Sequence, residues 1–137
     1  MTSNIHVSAV VLTDTAGRVL LVRKRGTTMW MNPGGKPEPG ESPAQCGARE
    51  VAEELGLVLD PDRLVPLGEH AAAAANEPGH TVVSQCFYWP SPIDAAVEPA
   101  AEIDAIRWVT PEDLTDPTLA PLFVHSIAPM WHTGWLL

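Results

Sequence analysis

A chain of 137 residues with 45% hydrophobic side chains, 14 Pro and 10 Gly holds material for one core, and residues 1–137 read as a single domain. Its 8 Lys and Arg against 17 Asp and Glu give a formal charge of −9. That balance excludes a broad electrostatic grip on a nucleic-acid polymer, yet small phosphates remain accessible where divalent cations bridge them to carboxylates. No apolar run approaches the ~18 residues that span a bilayer, which argues against a membrane partner. The start, Met1-Thr2-Ser3-Asn4, has neither a basic nor an apolar leader region. Cys46 and Cys86 lack the paired spacing of a zinc site or disulfide framework and read as buried free thiols, so the expected home is the reducing cytoplasm.

Residues 5–13 are rich in Val and Ile, residues 14–17 (Asp-Thr-Ala-Gly) carry turn chemistry, and residues 19–22 form a second apolar run. The pattern predicts a strand, a turn and a strand. Period-two alternation places Arg23 and Arg25 on one face of the second strand, where they are either phosphate contacts or exposed strand charges. A short strand is predicted over 29–32. Residues 33–40 are dominated by Pro and Gly, which excludes a regular element and requires a shaped loop. Ser42 followed by Pro43 is a helix start, and Gly56 suits the position just past the helix end, so a helix should run to Leu55. Ala44, Ala48, Val51, Ala52 and Leu55 share its apolar side, and Arg49, Glu50, Glu53 and Glu54 the other.

Beyond the helix, 64–68 and the stretch through Ala75 read as strand, with 71–75 ambiguous between strand and helix. A turn at 77–80 leads into a strand over 81–89, and a Pro- and Ala-rich loop covers 90–99. A short strand at 103–109, a helical turn at 111–114 and a terminal helix over 117–130 complete the chain, although Pro121 and Pro129 weaken that helix.

Glu50, Glu53 and Glu54 stand at i, i+3 and i+4 on one predicted helical face, so their side chains converge within one turn and repel unless a cation intervenes. Arg49 relieves part of this by pairing with Glu53. An isolated acidic face of this kind is usually a solvated surface. The surrounding spacing argues otherwise: Gly35, five residues, Glu41, seven residues, then Arg49-Glu50-Val51-Ala52-Glu53-Glu54-Leu55-Gly56-Leu57. This pattern matches the Nudix box at nine fixed positions across 23 residues, and the chain therefore resembles a Nudix hydrolase.

The resemblance implies an α/β fold, the Nudix α/β/α sandwich with a mixed central sheet, the box helix on one face and the C-terminal helix on the other. It implies Mg²⁺ or Mn²⁺ as cofactor, with Glu53 and Glu54 as principal ligands, Glu50 assisting, and Glu41 either a further ligand or a brace for Arg49. Gly34 and Gly35 would let the loop approach the ligand. Family members often carry a Glu in a loop before a late strand as metal ligand or general base. Glu102 stands there, with Glu98 its nearest competitor. Asn32 departs from the apolar residue common before Pro-Gly-Gly and is either a substrate contact or a loop hydrogen-bonding group. Trp30 could stack on a base or fill the core. His6, His70, His80, His125 and His132 have no ligand spacing.

The implied function is hydrolysis of a nucleoside diphosphate linked to another moiety, best matched to a (deoxy)nucleoside triphosphate pyrophosphohydrolase. The alternatives are an ADP-ribose or sugar-nucleotide pyrophosphatase and a non-catalytic nucleotide-binding domain. Neither Cys sits at the loop expected of the isomerase branch. The predicted loops at 26–29 and 77–80 are too short to wall an extended pocket alone, and the second copy in a homodimer could supply such walls.

Overall fold

The computed structural model describes residues 3–94 and 96–132. β1 (Ser3–Val11) and β5 (His80–Tyr88) run parallel side by side, with Ser3 opposite His80 and Val11 opposite Tyr88. β5 pairs antiparallel with β4 (Val65–Ala73), and β1 with the two-residue β3 (Gly34–Gly35), giving a mixed sheet of order β3-β1-β5-β4. β2 (Val19–Lys24) and β6 (Ile103–Val109) form a second, antiparallel ladder. The N–H of Leu20 donates to the Leu12 carbonyl at 3.0 Å, joining this ladder to the end of β1.

Side-chain alternation builds a core on each side. Ala9 and Val11 of β1 join Val19 and Leu21 of β2 against Phe123, Ile127 and Trp131. The intervening Val10, with Leu12, Leu20 and Val22, packs against Val51 and Leu55 of helix α1 (Pro43–Leu55). This is the layered α/β/α arrangement expected of a sheet apolar on both faces. α1 starts at a capping box, in which the Ser42 side chain accepts from Gln45 N–H and the Gln45 side chain from Ser42 N–H. It ends at Gly56, whose φ of 69° favours glycine.

Three expectations need correction and one ambiguity is resolved. Residues 29–32 form no strand: Trp30 and Met31 make only isolated bridges, to Leu119 and Val22. The ambiguous 71–75 run is strand through Ala73, after which Ala74 N–H donates to the His80 carbonyl at 3.0 Å. Ala52 is exposed rather than on the buried side of α1. The terminal helix begins at Pro121, not 117, and passes through a π-helical turn, Phe123–Ile127, into α2 (Ala128–His132). Pro129 explains the wide turn, because its nitrogen cannot donate and its ring crowds the carbonyl four residues back. Ala128 N–H instead reaches the Phe123 carbonyl. Among the described residues no helix is long and apolar enough to cross a membrane.

Candidate active site

Arg49 ties the loop between β3 and α1 to the helix. Its Nε and Nη2 donate to Glu41 Oε2 and Oε1 at 2.7 and 3.0 Å, a bidentate pair. Nη2 also reaches the Lys36 carbonyl at 3.0 Å, while Nη1 donates to Glu50 Oε1 at 3.0 Å and Glu53 Oε1 at 3.1 Å. Glu41 Oε1 further accepts the Glu38 N–H at 2.9 Å. These bonds, the Arg49 guanidinium first, hold the Glu41 carboxyl down at about 2. Both Glu41 oxygens are thus engaged as a brace.

The three helix carboxylates differ in burial: Glu50 and Glu53 both accept from Arg49 Nη1, and Glu54 turns inward. Glu53 stays half exposed beside Arg49. Glu50 is nearly covered, and a Cβ added to Gly35 would stand 2.5 Å from its carboxyl carbon, so only glycine leaves room for it. Burial raises the Glu50 pKa against the opposing Arg49 charge. Glu54, expected on the presented face, is 2% exposed. Its Oε1 accepts the Gly34 N–H at 3.1 Å, and its Oε2 has no protein partner. Burial pushes its carboxyl up to about 8, with the Glu50 and Glu102 charges adding to the rise and Gly34 N–H and Lys24 opposing it. The reason lies in the helix phase. Gly47, Val51 and Glu54 form an i, i+4, i+7 row, and a Cβ on Gly47 would meet Val10 Cγ2 at 2.9 Å. The helix therefore lies close on β1 and carries Glu54 inward. The spacing of Gly47 and Val51 was the available signal.

The loop bearing Glu102 is fastened to the end of α1, since Ala100 N–H donates to the Glu54 carbonyl at 2.8 Å. Glu102 pairs with Lys24 at 3.7 Å, whereas Glu98 is exposed and does not line the cleft that Glu102 borders. A cleft of about 530 Å³ opens here. Its polar lining includes Lys24, Gly34, Gly35, Glu50 and Glu102, and its apolar lining includes Met31, Val82, Leu122 and Phe123. Asn32 also lines it, 6% exposed, with neither Oδ1 nor Nδ2 bonded to protein.

The cations expected at the cleft lie elsewhere. Arg23 pairs with Asp104 at 3.3 Å and covers the Trp30 ring at 4.9 Å, and Arg25 is exposed; neither lines the cleft. Lys24, missed in the sequence, does. Its parity with Leu20 and Val22, which face α1, was the signal that could have found it. Trp30 packs on the first core with Arg107 as a second cation over its ring. The thiols of Cys46 and Cys86 are buried and raised in pKa by that burial, and Cys46 Sγ donates to the Gly35 carbonyl. The His132 side chain lies outside the described residues.

Among the described residues no three His, Cys, Asp or Glu side chains form a preassembled metal cage. The donor set nevertheless fits a hard cation: all its atoms are carboxylate oxygens, and the buried Glu54 Oε2 has no other partner.

The family model described as NUDIX domain matches residues 3–129. The CTP pyrophosphohydrolase of Escherichia coli K12 is 30% identical over 84% of this chain and 82% of its own length. The isopentenyl-diphosphate Delta-isomerase of Nocardia farcinica is 32% identical over 93% of this chain and 72% of its own. A further curated relative, 44% identical over 96 residues, is spanned to only 26% of its length. In fold, the crystal structure of the MutT protein from Methanosarcina mazei Go1 superposes with a TM-score of 0.77 at 24% identity, covering 97% of this chain and 96% of that one.

Proposed function

The chain belongs to the Nudix hydrolase family, and from that premise we propose that it cleaves (deoxy)nucleoside triphosphates to the monophosphate and pyrophosphate. The observation that carries the reading is the buried Glu54 carboxylate, its Oε2 unpartnered, in electrostatic contact with Glu50 and Glu102 beside a cleft that is otherwise largely apolar. Glu50, Glu53 and Glu54 would hold Mg²⁺ or Mn²⁺, which supplies charge neutralisation along the phosphates and a more acidic water. Arg49 and Glu41 position that helix face by locking the loop against it. Lys24 meets a phosphate oxygen once it leaves Glu102, and Glu102, then unpaired, accepts the proton of the attacking water. The apolar lining takes the base, and the close approach of Gly34 and Gly35 keeps bulk side chains off the phosphates.

A triphosphate is favoured by the likeness to a CTP pyrophosphohydrolase over most of both chains. The likeness to an isomerase is not matched by a reactive thiol, since Cys46 and Cys86 are both buried. Two buried free thiols suit the cytoplasm we assign. The test is a metal-supplemented screen of normal and oxidised (d)NTPs, sugar nucleotides, ADP-ribose and dinucleoside polyphosphates. The highest kcat/KM is expected on a triphosphate. An ADP-ribose or sugar-nucleotide value exceeding every triphosphate tenfold, about 1.4 kcal/mol in transition-state binding, would overturn the substrate. Binding without turnover of any phosphoric anhydride would overturn the enzyme.

A further inference from the structure

Segment 30–33 is held by backbone hydrogen bonds to three other segments of the chain. Met31 N–H donates to the Val22 carbonyl at 3.0 Å, Val10 N–H donates to the Pro33 carbonyl at 2.9 Å, and Ala120 N–H donates to the Trp30 carbonyl at 2.8 Å. Side chains along it alternate: Trp30 packs with the core that holds Phe123, and Met31 with the core beneath α1. Asn32 follows and lines the cleft together with Leu122 and Phe123, which supply apolar walls. It is 6% exposed, and both ends of its carboxamide lack a protein partner. A buried amide left unbonded is costly, whereas an apolar side chain at this position would carry no such cost. A carboxamide presents one donor and one acceptor side by side, the complement of a heterocycle edge that offers an amino hydrogen next to a ring nitrogen.

We propose that Asn32 is the base-reading residue of the cleft, its Oδ1 accepting from an exocyclic amino group and its Nδ2 donating to the adjacent ring nitrogen, as adenine and cytosine present them. The proposal rests on the nucleotide reading above. It assigns the base to the apolar lining beside Asn32 and the phosphates to the Gly34, Gly35 and Glu50 part of the same cleft.

The experiment measures kcat/KM for ATP, CTP, GTP and UTP on the wild type and on Asn32→Leu and Asn32→Asp with Mg²⁺. Ratios between bases within one enzyme are independent of its active fraction, so a partly unfolded variant still reports. The leucine should compress the spread between bases by about tenfold or more. The aspartate, which only accepts, should move preference toward guanine, whose N1–H and amino group both donate, again by about tenfold. Base ratios that neither variant moves by more than twofold overturn the role of Asn32 and leave the nucleotide reading standing. A wild type that turns over none of the four triphosphates or any other nucleotide overturns the nucleotide reading itself.

Discussion

Replacing Glu54 by Gln keeps the side-chain volume and leaves an oxygen for the Gly34 N–H, while removing the charge and the titration. In the metal-free protein the Glu54 carboxyl is pushed up from 4.5 to about 8. Between those values the folded state holds a proton that the unfolded chain has released. Stability therefore falls as pH rises through this window and is lowest above the folded value. A rise of that size corresponds to a ceiling of about 5 kcal/mol. With chelator present, Glu54→Gln should match the wild type near pH 5 and exceed its stability at pH 8 by several kcal/mol, read as a higher urea midpoint with an unchanged slope. Adding Mg²⁺ at pH 8 should raise the wild-type midpoint and move the variant far less. Turnover of the variant should fall by several orders of magnitude, because the lost oxygen acts on charge that develops in the transition state. A stability difference that does not change between pH 5 and pH 8 would refute the buried titration, and near-normal hydrolysis would refute the site.

Glu102→Gln should lower kcat much more than Glu98→Gln, with KM less affected, since Glu102 lines the cleft and Glu98 does not; equal small effects would return Glu102 to the surface. Gly35→Ala should keep the fold but sharply reduce turnover, because the new Cβ displaces the Glu50 carboxyl rather than backbone. By contrast, Gly34→Ala sets its Cβ against the Ser8 carbonyl oxygen and should cost more than about 2 kcal/mol in a urea melt.

The loop, the helix limits and the Arg49–Glu53 pair were legible because glycine spacing, a Ser-Pro start and an i, i+4 ion pair are local signals. The sequence left Glu41 as either a ligand or a brace, and its bidentate bond to Arg49, eight residues on, decides for the brace. The inward turn of Glu54 was not, since charge composition suggested an outward face and the close contact of Gly47 with Val10 is a tertiary effect. Lys24 was overlooked in favour of two arginines that share its strand neighbourhood. Arg23 is occupied by Asp104 and Trp30, partners 81 and 7 residues away that no local pattern reveals. Asn32 stood out in the sequence only as a departure from an apolar position; its burial without partners is what gives that departure a physical meaning. The absent strand at 29–32 follows from its mixed pairing, with Leu119 on Trp30 and Val22 on the next residue, Met31.

The π-helical turn at Phe123–Ile127 adds one residue to a helix whose neighbours Leu122 and Phe123 wall the cleft. Each residue of helix advances the side-chain direction by about 100°. Deleting one residue from this turn would swing the wall relative to α2 while leaving every position between Gly35 and Leu57 untouched. The wall formed by Leu122 and Phe123 thus belongs to a different element from the helix that carries Glu50, Glu53 and Glu54. A single insertion or deletion in the C-terminal segment is a route by which descendants of this sequence can acquire a differently shaped cleft in one evolutionary step.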